Sequence, residues 1–484
     1  MRSVSIYCIL AYLLVAVSAL TPEKVWENVR YDRTLDLQKS YAKERHVITA
    51  KNIAAVPISE YYFSIPAQSL KDISLFIAFS GSSKDDSSLL QADEIVVPQG
   101  ESDSDLTYYK LQLPYPIAPK SQITLTASYI TTKQLSPLPK KADMGAEQTL
   151  IVQTHKLPLS CYDTSSYVLR VAGADSAQEL PLEVPQGFTS QDLKPTVKDS
   201  TLLYGPYSSV IESYTKLPMA LLYSKQLPLP VVHSLKRDFW VSHWSSALQL
   251  EEYYELTNAA VALNKGFSRV DWMSGRYHMR QNPVLTNIPI RLPEVETSEI
   301  YFTDKVGNVS TSLILDKELI LKPRYPIFGD WNYNFTIGWT NKLADFVKSS
   351  DDVHILKVPL LDGLTDATYE NVSLSIRLPE GSKIIDVQVP FDHNGMTIEQ
   401  DFSYLDLTTG HTKVTLEFNN LVDEMKGLEV LVKYEYGTFD MLKKPLSTAG
   451  YVFVALIALY ALRKVDIAIQ PPKAVESNVL SNKK

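Results

Sequence analysis

Four stretches of the chain alternate apolar and polar residues with a strict period of two. Ile123, Leu125 and Ala127 interleave with Thr124, Thr126 and Ser128. Val372, Leu374, Ile376 and Leu378 interleave with Asn371, Ser373, Ser375 and Arg377. Val414, Leu416 and Phe418 repeat the pattern, as do Leu428, Val430, Val432 and Tyr434. Period two with one polar face predicts half-buried antiparallel strands. Clusters such as Pro379-Glu380-Gly381 supply the turns between them. In Thr340–Val358 the pattern is poor and leaves room for a helix. The prediction is a mainly β protein of two tandem β-sandwich-like domains, residues 20–225 and 226–440. They join near the stiff, proline-bearing KQLPLPVV, Lys225–Val232.

The two domains read as copies. LPYPIAPKSQITLTASY (Leu113–Tyr129) and PRYPIFGDWNYNFTIGW (Pro323–Trp339) align on Tyr-Pro-Ile. A large apolar residue follows in both (Leu125, Phe335), then threonine (Thr126, Thr336), then an aromatic (Tyr129, Trp339). Arg33…Asn52 and Arg237…Asn258 form an earlier echo in the same order. Ordered echoes at a common offset point to duplication. The middle spacing is longer in the second copy, which implies an insertion near Asn264–Pro283.

Two apolar runs break the β pattern. Arg2, the run Ile6–Val17 and the small residues Val17-Ser18-Ala19 read as a cleaved signal peptide, residues 1–19. The second run, residues 445–462, holds no ionisable group between Lys443-Lys444 and Arg463-Lys464. Eighteen residues make a helix of about 27 Å, which matches the roughly 27 Å hydrocarbon core of the endoplasmic reticulum. Tyr451 and Tyr460 lie near its ends, where interfacial aromatics collect. The expectation is a single-pass type I protein of the reticulum membrane. Residues 20–440 would lie in the lumen and the tail 463–484 in the cytosol. Ser447, Ala449 and Gly450 are candidate packing positions at the lumenal end, because small residues let helices approach in lipid.

Composition narrows the chemistry. The net charge is −8 and no basic block stands out, so nucleic acid is excluded as an expected partner. Cys8 would leave with the signal peptide, and Cys161 reads as a buried small hydrophobe rather than a nucleophile. The sequence contains no His-Glu-x-x-His, no Gly-x-Ser-x-Gly and no glycine-rich phosphate loop, so no catalytic residue, metal ligand or cofactor is assigned. Asp103-Ser104-Asp105 matches a glycosyltransferase metal motif but sits in a polar stretch with no nucleotide-binding pattern nearby. Three N-glycosylation sequons begin at Asn308, Asn334 and Asn371. In the insertion, Phe267, Arg269, Trp272, Arg276 and Tyr277 combine aromatics with arginine, the composition of interface anchors. A loop packed on its own domain is the other reading.

Three segments carry a resemblance: KGFSRVDW (Lys265–Trp272), IYFTDKVGNVSTS (Ile300–Ser312) and LKPRYPIFG (Leu321–Gly329). With the layout from Val25 to the membrane helix, the chain resembles the ribophorin I family, the type I membrane subunit of the oligosaccharyltransferase complex. In size and short cytosolic tail it is similar to the fungal form. The resemblance implies a non-catalytic subunit that supports transfer of a dolichol-linked oligosaccharide to Asn-x-Ser/Thr of nascent polypeptides. It implies partners among the other subunits, including a polytopic catalytic one, together with nascent polypeptides and membrane lipid. It also carries Asn308 over as a glycan position. A lumenal chaperone or cargo receptor is the alternative reading.

Overall fold

The computed structural model describes residues 22–81, 88–95, 106–174, 176–180, 194–198, 201–275, 282–403 and 410–465. The signal-peptide segment, Asp103 and Asp105, Arg276 and Tyr277, and the tail beyond 465 lie outside them.

Four strands form the centre of each half. In the first half they are β1 (Trp26–Asp36), β2 (Ala42–Asn52), β3 (Gln122–Thr131) and β4 (Tyr167–Ala172). In the second they are β5 (Pro230–Ser242), β6 (Ala247–Asn258), β7 (Asn332–Lys342) and β8 (Thr368–Glu380). Each set is ordered alike, β4-β1-β2-β3 and β8-β5-β6-β7. Two more strands flank each end, so both large sheets have eight strands. A four-stranded and a three-stranded sheet complete each half: 135–137, 149–155, 178–179 and 218–224 with 58–66, 91–95 and 106–117 in the first, and 347–350, 353–359, 383–388 and 429–435 with 288–291, 312–315 and 318–321 in the second. Even the register irregularities correspond, between Asn28 and Arg30 in β1 and between Val232 and Ser234 in β5.

Alternation built these strands, and their burial follows it; β2 reads buried at Ala42, Glu44, His46, Ile48, Ala50 and Asn52. Not every pairing is antiparallel, however. β1 runs parallel to β4 and β5 parallel to β8. Period two reports which face is covered, not the direction of the neighbour. Between β3 and β4 the chain visits the four-stranded sheet, and this crossover brings β4 back parallel to β1. Thr340–Val358 forms no α-helix: β7 ends at Lys342, a single 3-10 turn spans Leu343–Asp345, and strands follow at Val347–Ser350 and Val353–Pro359.

The repeat motif has a physical basis. Asn52 Nδ2 donates to the Ile117 carbonyl at 2.8 Å, and Asn258 Nδ2 donates to the Ile327 carbonyl at 3.0 Å. The Arg…Asn echo and the Tyr-Pro-Ile echo are therefore two ends of one buried clamp, in which a side-chain amide satisfies backbone that the strands leave open.

Direct contacts tie the halves together. Gln148 Nε2 donates to the carbonyls of Lys225 and Leu227 at 2.9 Å each, and its Oε1 accepts from Val261 N at 2.8 Å. Tyr41 donates to Asp423 at 2.5 Å, and Lys43 meets Glu424 at 2.6 Å. Tyr41 and Ile130 of the first half pack within the apolar core of the second.

Two α-helices complete the described residues: α1 (Arg269–Gly275) and α2 (Thr438–Lys464). The 27 residues of α2 span about 40 Å, and none of its side chains is buried.

Candidate functional site

The strongest charges sit inside the cores. Arg33 donates through Nε to Glu44 at 2.8 Å and through Nη1 to the His155 carbonyl at 2.6 Å. Its Nη2 reaches Thr154 Oγ1 at 2.6 Å. Arg237, fully buried, donates through Nε to Glu252 at 2.7 Å, through Nη1 to the Pro359 carbonyl at 2.8 Å and through Nη2 to Asp362 at 3.0 Å. Burial opposes charge on Arg33, yet Glu44 raises its pKa well above the usual value. Burial alone would raise Glu44, but Arg33 holds its carboxyl well below the ordinary range. Both guanidiniums are closed off by their own partners, which suits structural clamps.

Cys161 lies in the first core, fully buried, and burial pushes its thiol up to about 12. A thiol held protonated is a poor nucleophile. Among the described residues no three His, Cys, Asp or Glu side chains gather as a metal site.

The insertion packs partly on its own half. Phe267 lies 5.6 Å from the Phe328 ring and 5.9 Å from Trp331, and Trp272 meets Phe328 edge-on at 5.3 Å. Gly329 permits this fold-back: a Cβ there would overlap the Ala260 and Val261 carbonyls. The outer side stays open, with Phe267 40%, Val270 77% and Met273 51% exposed. These three recur every third residue along the turn leading through α1. Arg269 opens that helix and is exposed.

Of the sequons, Asn308 is exposed in the short strand Gly307–Asn308 that follows the turn at residues 305–306, and Gly307 has a φ of +130°. Asn371 is exposed on β8, with Nδ2 on the His233 carbonyl at 3.0 Å. Asn334 is half-buried in β7, and its Nδ2 donates to the Tyr253 hydroxyl at 3.2 Å.

Pro445 falls inside α2. Lacking an N–H, it leaves the Met441 carbonyl without its helical donor. Trp244, 58% exposed on the β5–β6 turn, supplies one: its indole N–H donates to Met441 O at 3.1 Å. Sequence reasoning missed this residue; the proline eight residues into the helix was the available signal. Ser447 and Thr448 hydroxyls both turn back to the Lys444 carbonyl at 2.9 Å. The three small residues do not share one face. At about 100° per residue, Ser447 and Gly450 lie within about 60° while Ala449 lies about 160° from Ser447. Ala449 instead joins Trp244, Thr448, Val452 and Leu456 along an apolar groove.

A doubled β architecture with an arginine clamped inside each core ends in the one helix among the described residues that is long and apolar enough to cross a membrane, the layout of a membrane-anchored protein. The chain belongs to the Ribophorin I family, whose model matches residues 26–463. It is 25% identical to dolichyl-diphosphooligosaccharide–protein glycosyltransferase subunit 1 of Caenorhabditis elegans, over 97% of this chain and 77% of that protein. It is 27% identical to subunit 1B of Arabidopsis thaliana, over 96% of this chain and 98% of that protein. Among solved structures, native leukotriene A4 hydrolase from Saccharomyces cerevisiae covers 43% of this chain and 30% of its own at 10% identity, with a TM-score of 0.28, too low to bear on fold or function.

Proposed function

We propose that this chain is a non-catalytic subunit of the oligosaccharyltransferase complex, anchored as a type I protein in the endoplasmic reticulum membrane. Residues 20–225 and 226–440 form two lumenal domains that hold acceptor polypeptides near a polytopic catalytic partner. The helix assembles the chain with its neighbours. The observation that carries this reading is the extent of the family match, which runs from the first strand through both halves to the end of α2. The outward side of Phe267 and α1, with Arg269, offers the partner surface, and Asn308 and Asn371 carry glycans.

The test purifies the complex from cells with and without the chain. One assay follows a short sequon peptide and a second follows a secreted glycoprotein. Loss confined to the glycoprotein, with the peptide still modified, is the expected result. Oligosaccharide transfer by this chain alone, or cytosolic protease digesting residues 20–440 in sealed microsomes, would overturn the proposal.

A further inference from the structure

The first half contains a cavity of about 660 Å³ between its large sheet and its four-stranded sheet, floored by Tyr31, Arg33, Glu44, His46 and Tyr129. The second half shows how this fold closes the same place. Arg33 faces His46 across β1–β2, and Arg237 faces Glu252 across β5–β6. His46 thus stands where the second half has Glu252, and Glu44 stands where it has Leu250. Across the next pair Glu44 faces Tyr129, whereas Leu250 faces Trp339. On the opposite wall Ile151 pairs with Ser136 and Ile355 with Lys348. That register sets Gln134 against Phe346. Leu250, Trp339 and Phe346 plug the second half, with Leu250 and Trp339 only 4% and 2% exposed. Their polar counterparts Glu44, Tyr129 and Gln134 line the open cavity in the first.

The opposite wall is polar as well: Gln134 and Ser136 line it, and the Gln134 side-chain N–H donates to the Gln153 carbonyl at 3.0 Å. An open space lined by amides, hydroxyls and a carboxylate favours a polar occupant. The guanidinium and ammonium groups nearby are engaged elsewhere. All three Arg33 nitrogens are bonded within the core, Glu44 Oε2 accepts from Arg33 and Tyr129, and Lys133 pairs with Glu370 at 2.8 Å. An anionic ligand would find its countercharge already taken, while Asp72 adds a carboxylate to the lining. Amides and hydroxyls of Gln68, Ser69, Gln134, Ser136 and Gln153 remain around the opening, and they suit groups that both donate and accept.

We propose that this cleft binds an uncharged, hydroxyl-rich ligand, a short saccharide. The binding stands on the first half's own residues and does not depend on membership of the complex.

The test is ligand-observed saturation-transfer NMR on the full chain in detergent, after endoglycosidase treatment so that its own glycans do not compete. The probes are chitobiose, mannotriose, maltotriose and an uncharged Gly/Ser octapeptide. At least one saccharide should bind, and Gln134→Phe, which copies the plug of the second half, should weaken it about ten-fold or more through lost hydrogen bonds and filled space. Ser136→Trp, at an exposed rim position, should act alike with the unfolding midpoint unchanged. Binding of the octapeptide alone, no saccharide signal, or saccharide binding unaltered in both variants would overturn the proposal.

Discussion

Replacing Arg237 with methionine tests whether the buried charges hold the second half together. The side chain is fully buried and its guanidinium stacks 5.3 Å from the Phe239 ring centroid. Without it, Glu252 keeps only the Tyr254 hydroxyl at 2.6 Å, and the Pro359 carbonyl loses its donor. Breaking a buried pair by removing one partner costs about 3–5 kcal/mol, because a desolvated charge is left behind. Converting both partners is often near neutral, so Arg237→Met/Glu252→Met should recover much of the loss, with a coupling of up to about 3 kcal/mol. Tryptophan fluorescence during urea unfolding reads this selectively: Trp240, Trp244, Trp272, Trp331 and Trp339 lie in the second half and Trp26 alone in the first. A loss under about 1 kcal/mol, the worth of an exposed pair, would refute the reasoning. So would a double variant as unstable as the sum of the singles.

Other outcomes follow from the same packing. Gly329→Ala should cost about 3 kcal/mol, since the new Cβ meets two backbone carbonyls that cannot yield; a lowered urea midpoint checks it, and an unchanged midpoint would place the fold-back elsewhere. Trp244→Ala should cost about 0.5–1.5 kcal/mol of junction stability by removing the donor to the Met441 carbonyl, seen as faster proteolysis at residues 437–445. Trp244→Phe should not rescue it, and wild-type resistance in that variant would dismiss the indole bond. Burial, then His354, brings His243 from 6.5 down to about 4, and burial, then Arg33, brings His155 to about 4. The unfolded chain binds more protons in that window, so the stability from both groups is complete above about 6.5 and falls as pH drops toward about 4. Urea midpoints from pH 7.5 to 4.5 should decline, and His243→Gln should flatten the slope; an unaltered slope would remove His243 from the account.

Strand positions were legible because half-buried strands print their faces on the sequence with period two, as in Val372–Leu378. Strand direction was not legible: β8 carries the same alternation beside parallel β5 as beside antiparallel 411–422. The duplication could be read at Tyr-Pro-Ile and at the Arg…Asn echo because those residues build one amide clamp that tolerates little change. The shift of the glutamate partner, Glu44 in one half and Glu252 two positions along in the other, was hidden, since either placement satisfies an inward guanidinium. Aromatic composition marked Phe267 and Trp272, but only coordinates separate the ring faces resting on Phe328 from the exposed Val270 and Met273. Small size alone grouped Ser447, Ala449 and Gly450, although helical geometry divides them.

The two copies fill the space between their sheets differently, and direct contacts join them. The second half closes its inter-sheet space with Leu250, Trp339 and Phe346 and uses the freed rigidity to seat the helix. Tyr436 N binds the Asp352 carbonyl at 2.8 Å, His354 Nε2 bonds to the Tyr436 carbonyl at 3.0 Å, and Trp244 caps Met441. The first half keeps its space open and polar. Gln148 and the Tyr41–Asp423 bond lock one to the other. Here Gln148 binds the linker carbonyls of Lys225 and Leu227, converting the junction into part of the core. Gln148→Ala would therefore leave the Lys225 and Leu227 carbonyls without their donor and loosen the junction, while the apolar clusters of the two halves keep their own side chains.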